Sequence, residues 1–341
     1  MFNLKLILVF FISFAFSLYF MPQFIEAGKK FGLVARPDGK LRFQKEPVPY
    51  MGGLAIYLAF LLALVFIFEF NAQVLGLLLG GTIILLVGLI DDFGVMTPWM
   101  KLFGQIIAVI ALIKSGIHLE IQFILNLEPI PEFPIISYSL SAFWLLSLMN
   151  AFNFLDIEDG LAGGVAFFSG LGLLAVAVIN NYTVISALTS ALLGGCLGFL
   201  FYNFQPAKIY LGDSGSMFLG LMLGALAMIG SYTIKHRLGL FAPLLILGVP
   251  LFEISFTSFA RLIQKKPIMQ GSPDHIAKRL QKIGLSLKKT VIFHYLMTII
   301  LTALGFGVML SNFNTALIIL IITFTGITIL GLILLKVRME K

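Results

Sequence analysis

The sequence predicts an all-α integral membrane protein with about eleven transmembrane helices, its N-terminus outside and its C-terminus cytoplasmic. Three observations carry this reading. Of the 341 residues, 59% are hydrophobic and only 11% charged, against about 25% charged in an ordinary soluble domain. The apolar residues fall in long runs, and roughly 20 in succession suffice to cross the hydrocarbon of a bilayer. Lys and Arg gather in alternate connections between those runs, the bias of cytoplasmic loops. Helices are required because lipid offers no partner to loose backbone N–H and C=O groups.

In order, the runs are 4–21, 50–70, 72–90, 101–114, 135–152, 161–180, 183–202, 214–232, 241–260, 290–310 and 315–336. The first could be a signal peptide, but Met21, Pro22 and Gln23 follow it where a small-residue cleavage site would stand, so it reads as a span. The fourth is short. Gly52-Gly53, Gly163-Gly164 and Gly194-Gly195 mark sites of close helix approach. Cys196, the single cysteine, reads as a buried thiol, since it has no partner for a disulfide and no cluster for a metal. No repeat or second soluble domain is visible. Residues 1–341 read as one polytopic domain, with polar loops near 22–49, 91–100, 153–160, 203–213 and 261–289.

With the N-terminus outside, 19 of the 23 Lys and Arg fall on the cytoplasmic side. Lys235 and Arg237 go against the trend. The net charge of +7 then reflects topology and basic loops beside anionic headgroups, not nucleic-acid binding.

All seven Asp, at 38, 91, 92, 156, 159, 213 and 274, fall on that same side. Acids next to hydrocarbon are expensive and point to function. Asp91-Asp92 ends the third run; adjacent helical residues point about 100° apart, so one could bind a metal and the other a substrate, although a solvated helix end would also suit Asp. Asn150, Asn153, Asp156 and Asp159 recur every three residues, which on a helix pairs them along one face; Asp159 could alternatively cap the following span. Asn203, Tyr210, Asp213, Ser214 and Ser216 precede or open the eighth run. They could form an N-cap, or a phosphate site, which a helix N-terminus favours. Tyr210 could stack on a base or sit at the interface. The loop from Lys265 to Arg279 contains His275, Lys278 and Arg279, groups suited to a diphosphate. There is no Walker A sequence, no dinucleotide fingerprint and no HExxH. The residues suggest a carboxylate–magnesium–phosphate site.

Taken together, and over nearly the whole chain, these segments resemble the polyprenyl-phosphate N-acetylhexosamine-1-phosphate transferases of glycosyltransferase family 4. That family includes the phospho-N-acetylmuramoyl-pentapeptide transferases. Arg36–Lys40 with Pro47–Gly53, Gly88–Asp92, Asn150–Gly164, Asn203–Ser216 and Gly271–Leu280 resemble its motifs in order. There are two departures. Ile157-Glu158 stands where the family often has Gly-Leu between two Asp, and Lys278 stands where a second His often follows the first. Consecutive histidines typical of the pentapeptide branch are absent, and Pro206–Tyr210 resembles the N-acetylhexosamine branch.

The resemblance implies transfer of HexNAc-1-phosphate, GlcNAc-1-phosphate in particular, from a UDP-sugar to undecaprenyl phosphate in the bacterial cytoplasmic membrane. UMP is released and a cell-envelope glycan, such as lipopolysaccharide or teichoic acid, is begun. It implies Mg2+, with Mn2+ as a substitute, at Asp213 and Asp92. Asp91 would orient or deprotonate the lipid phosphate. Asp156, Asp159, Asn150, Asn153, Asn203 and Tyr210 would hold the donor. His275, Lys278, Arg279 and Lys45 would meet phosphate. Three alternatives remain: the pentapeptide donor, a secondary transporter, whose sites would lie at the bilayer midplane, and an inactive lipid-binding relative. Dimerisation through the spans is left open.

Overall fold

The computed structural model describes residues 2–35, 47–65, 71–120, 133–266, 274–337 and 339. It is built from helices: α1 (Phe2–Phe31), α2 (Gly52–Leu64), α3 (Ala72–Asp92), α4 (Pro98–Lys114), α5 (Phe133–Leu155), α6 (Leu161–Ile179), α7 (Thr183–Asn203), α8 (Gly212–Ile229), α9 (Ala242–Ile246), α10 (Gly248–Ile263), α11 (Ile276–Lys282), α12 (Leu287–Leu310) and α13 (Phe313–Leu335). A minimal antiparallel ribbon, β1 (Val34–Ala35) with β2 (Val48–Pro49), follows α1; hydropathy gives no sign of it. Among the described residues eight helices are long and apolar enough to cross a membrane, and α9 with α10 makes a ninth, bent pair. The remaining two expected runs are α2, of 13 residues, and α4, of 17.

Local chemistry accounts for the helix limits. Asn71 accepts from the Val74 N–H at 2.9 Å and Thr97 from the Met100 N–H at 3.3 Å, starting α3 and α4. Pro98 opens α4, where its missing N–H costs nothing. α1 runs ten residues beyond its expected end at 21, through Pro22, and closes on Lys29 and Lys30, whose charges suit a helix C-terminus. The ninth run is not straight: α9 and α10 meet at 74°. Pro250 cannot donate to the Ile246 carbonyl; the Ser169 hydroxyl donates to it instead, at 3.0 Å.

Small residues set the packing of the centre. α8 lies against α3, α5 and α2. A Cβ on Gly88 of α3 would stand 2.3 Å from the Ser214 Cα, and one on Gly53 of α2 would stand 2.2 Å from the Gly215 nitrogen. Both helices therefore touch the backbone of the first turn of α8. One cluster of buried apolar side chains extends from Leu6 to Met309, whereas α12 and α13 expose Leu296, Ile300, Ile318, Ile322 and Ile333, as a lipid-facing surface does.

The chain returns repeatedly to one end of this bundle. The Gly52 and Gly53 N–H groups donate to the Tyr210 and Leu211 carbonyls at 2.9 and 3.0 Å, and the Tyr210 N–H to the Pro49 carbonyl at 2.7 Å. Arg279 of α11 donates to the Leu334 carbonyl of α13 at 3.0 Å. Tyr295 of α12 donates to the Gly160 carbonyl at 2.5 Å. The ends of α1, α3, α5, α7, α10 and α13 and the starts of α2, α4, α6, α8 and α12 thus share that end.

Candidate active site

Four helix ends meet at the centre of this polar face. Asp91, at the end of α3, and Asp213, in the first turn of α8, face each other across Lys101 of α4. The Lys101 ammonium is 2.9 Å from Asp91 Oδ2 and also bonds Asp213 Oδ2. Asn153 of α5 donates to Asp213 Oδ1 at 2.7 Å and to the Ser216 hydroxyl at 3.1 Å. A cation between two carboxylates relieves their repulsion.

Asp92 has a different task from the one expected. Its Oδ1 accepts from the Asp213 N–H at 2.7 Å, and its Oδ2 from the Ser214 N–H and hydroxyl at 3.3 and 2.9 Å. It caps α8 from a neighbouring helix, satisfying N–H groups that have no partner within α8. The adjacent pair does diverge, but Asp91, not Asp92, shares the cation with Asp213.

Asp156 and Asp159 do not lie along one helical face, because α5 stops at Leu155. They sit in the turn 156–160 leading into α6. Asp156 stands near the Gly212 backbone N–H. Burial, then the charges of Asp213 and Asp92, push its carboxyl well above the usual carboxylate range. Asp159 Oδ2 accepts from the Ala207 N–H at 2.9 Å, so it does not cap α6. Its carboxyl is also raised, by burial and by Glu158, with Lys278 opposing.

Other expected ligands are committed to the protein itself. Asn203 accepts from the Gly160 N–H and donates to the Ile209 carbonyl, both at 2.9 Å, tying two loops together. Asn150 exchanges bonds with Gln105 of α4 at 3.1 and 3.4 Å. The Arg279 guanidinium is buried on the Asp274 carboxylate and on the carbonyls of Asp274, Leu334 and Val337; it fastens α13 to α11. Lys278 pairs with Glu158 at 2.8 Å. His275 is nearly buried, its Nδ1 2.9 Å from Glu253 Oε1 and its ring edge-on to Phe154. Tyr210 is half-buried beside Tyr50, ring centroids 5.9 Å apart. Lys45 lies outside the described residues, as does Asp38.

Sequence reasoning missed Lys101, Gln105 and Glu253 as parts of this constellation. Gln105 and Glu253 carried a usable signal, being polar groups within apolar helices. Lys101 did not, because one Lys at a helix start looks like any topology charge.

Comparison with known proteins bears on this arrangement directly. The model for glycosyl transferase family 4 matches residues 74–231, from α3 to just beyond α8. A Bacillus subtilis protein named probable undecaprenyl-phosphate N-acetylglucosaminyl 1-phosphate transferase is 30% identical over 295 residues, 86% of this chain and 82% of its own. The chain belongs to glycosyl transferase family 4. A second relative, the decaprenyl-phosphate N-acetylglucosaminephosphotransferase of Mycolicibacterium smegmatis, is 30% identical over 78% of this chain and 73% of its own. The phospho-N-acetylmuramoyl-pentapeptide-transferase of Heliobacterium modesticaldum is 32% identical over 66% and 75%. The matched segment contains Asp91, Lys101, Asn153 and Asp213, the four side chains that converge at the centre of the site.

The donor set suits a hard divalent ion. Among the described residues no three His, Cys, Asp or Glu side chains gather closely enough to hold a metal alone. Two facing carboxylates with a substrate diphosphate to complete the shell are, however, the usual arrangement for magnesium.

Proposed function

We propose that the chain transfers N-acetylhexosamine-1-phosphate, with N-acetylglucosamine the first choice of sugar, from its UDP derivative to undecaprenyl phosphate, releasing UMP. The observation that carries this is the cluster Asp91–Lys101–Asp213–Asn153 at helix ends on one face of an apolar bundle. A water-soluble diphosphate and a lipid phosphate can meet only at such a boundary. The Lys and Arg bias supports a cytoplasmic position for it in the bacterial inner membrane.

A lipid phosphate oxygen attacks the sugar-bearing phosphorus of the donor. A new P–O–P bond forms, the bond to the UMP phosphate breaks, and that phosphate leaves with the negative charge. The acceptor is already an oxyanion at neutral pH, so orientation and charge neutralisation carry the catalysis. Asp91 and Asp213 would hold magnesium, which supplies positive charge to the diphosphate when bound. Lys101 exchanges its carboxylate contacts for phosphate oxygens as the donor enters. Asp92 fixes the α8 start so that Asp213 keeps its aim, and Asn153 holds the Asp213 carboxylate in one rotamer. Asp156, Asp159 and Tyr210 line the donor side, and His275, oriented by Glu253, faces it.

The test is UMP release by the detergent-purified protein given undecaprenyl phosphate and UDP-N-acetylglucosamine. Release should require both the lipid and magnesium. Asp213→Asn and Lys101→Met should each lower it on the order of 100-fold or more. No release by a folded sample with any UDP-N-acetylhexosamine, but release with the UDP-muramoyl-pentapeptide, would move the protein to the pentapeptide branch.

A further inference from the structure

The two places where the sequence departs from the motifs it resembles face each other. Glu158, in the turn after α5, accepts from the Lys278 ammonium at 2.8 Å and from the Gln281 amide at 2.6 Å, both on the same carboxylate oxygen. Lys278 and Gln281 stand three apart on α11 and so share a face. The Glu158 side chain is only 6% exposed, so removing its cation leaves a carboxylate with little water to solvate it.

The turn that carries Glu158 is held elsewhere too. The Gly160 N–H and carbonyl bond Asn203 and Tyr295, and Asp159 bonds the Ala207 N–H. These contacts fix the turn to α7, α12 and the loop before α8. Glu158 is the side chain that bonds it to α11. The charges of Glu158 and Asp159, neighbours in this turn, repel, and Lys278 opposes that repulsion.

We infer that Glu158, Lys278 and Gln281 form a latch that docks the acidic turn onto α11 and sets the position of the donor-binding acids Asp156 and Asp159. These three are positioning residues. Lys278 serves Glu158 rather than the diphosphate. The inference rests on the transferase reading for its consequence, donor affinity, but not for the latch itself.

The experiment is a double-mutant cycle on the purified protein with UDP-N-acetylglucosamine as the varied substrate. Glu158→Gln and Lys278→Met should each raise the donor KM about tenfold with little change in kcat or in the KM for undecaprenyl phosphate, and the double variant should cost no more than either. The exchange Glu158→Lys with Lys278→Glu should recover most of the loss. The inference is overturned if the two losses multiply, if Lys278→Met lowers kcat while Glu158→Gln does nothing, or if only the melting temperature moves. Hydrogen exchange of residues 156–160 gives a readout without turnover: it should rise in each single variant and fall back in the exchange. If the wild type releases no UMP, the transferase reading fails and exchange alone decides. Unchanged exchange then sinks the latch as well.

Discussion

Asp156 has the least comfortable setting of any acid in the site. Burial and the charges of Asp213 and Asp92 favour its protonated form, so the folded protein holds a proton there that the unfolded chain has already released. Stability should therefore fall as pH rises from the ordinary carboxylate range through the raised value, because the acid must ionise in place. Asp156→Asn removes that cost while keeping a polar oxygen near the Gly212 N–H. Its melting temperature in detergent should exceed that of the wild type near neutral pH, and the excess should shrink in acid. Its kcat/KM for the donor should drop about tenfold, the loss when the O–H donor of a neutral carboxyl is replaced by an amide. A destabilised Asn variant would remove burial as the cause of the shift. At this scale the sequence was legible only in part. Residue type identified Asp91, Asp213 and Asn153 as a polar group at a membrane face. It could not separate them from Asn203 and Arg279, because a side chain that bonds a backbone carbonyl has the same chemistry as one that bonds a ligand. Only packing decides between the two.

At the scale of elements, hydropathy located the eight helices, and the bent ninth pair, that are long and apolar enough to cross a membrane among the described residues; the two further runs it gave are the shorter α2 and α4. It did not locate the bend at Leu247, although Pro243, Gly248 and Pro250 flank it, because a bent apolar run is as hydrophobic as a straight one. Nor did it find α11, which has seven residues and sits within a basic loop. The contact of α3 with the start of α8 was likewise hidden, although Gly88 hinted at it. Gly88→Ala drives a methyl group into the Ser214 backbone and should cost about 1–3 kcal/mol, the range for an overfilled core. It should also lower UMP release by moving Asp213 off its aim. The control is Gly326→Ala on α13, where a Cβ meets nothing within 4 Å; melting and activity should stay at or above wild type. Equal melting of the two variants would show that α3 and α8 can part without penalty.

Across the whole molecule, the basic connections and the acidic site share one end, and topology follows from which side of the membrane that end occupies. The only cysteine is buried, so single cysteines can be placed on a silent background. With Cys196 retained, Lys30→Cys and Lys288→Cys should react with an impermeant maleimide in inverted bacterial membrane vesicles and resist it in intact cells. Lys235→Cys should do the reverse. The opposite pattern would invert the orientation and put the site outside. The contact of Gly53 and Gly88 with the first turn of α8 has a consequence at this scale as well. Asp213 rides on a backbone wedged between two others, and Asp92 grips that backbone from the side, so the centre of the site has no freedom to be retuned. The rim, by contrast, is held by side chains on a turn and a short helix. Substitutions at the rim should therefore alter the preference for one donor over another while leaving the reaction itself standing, whereas substitutions at the centre should abolish it.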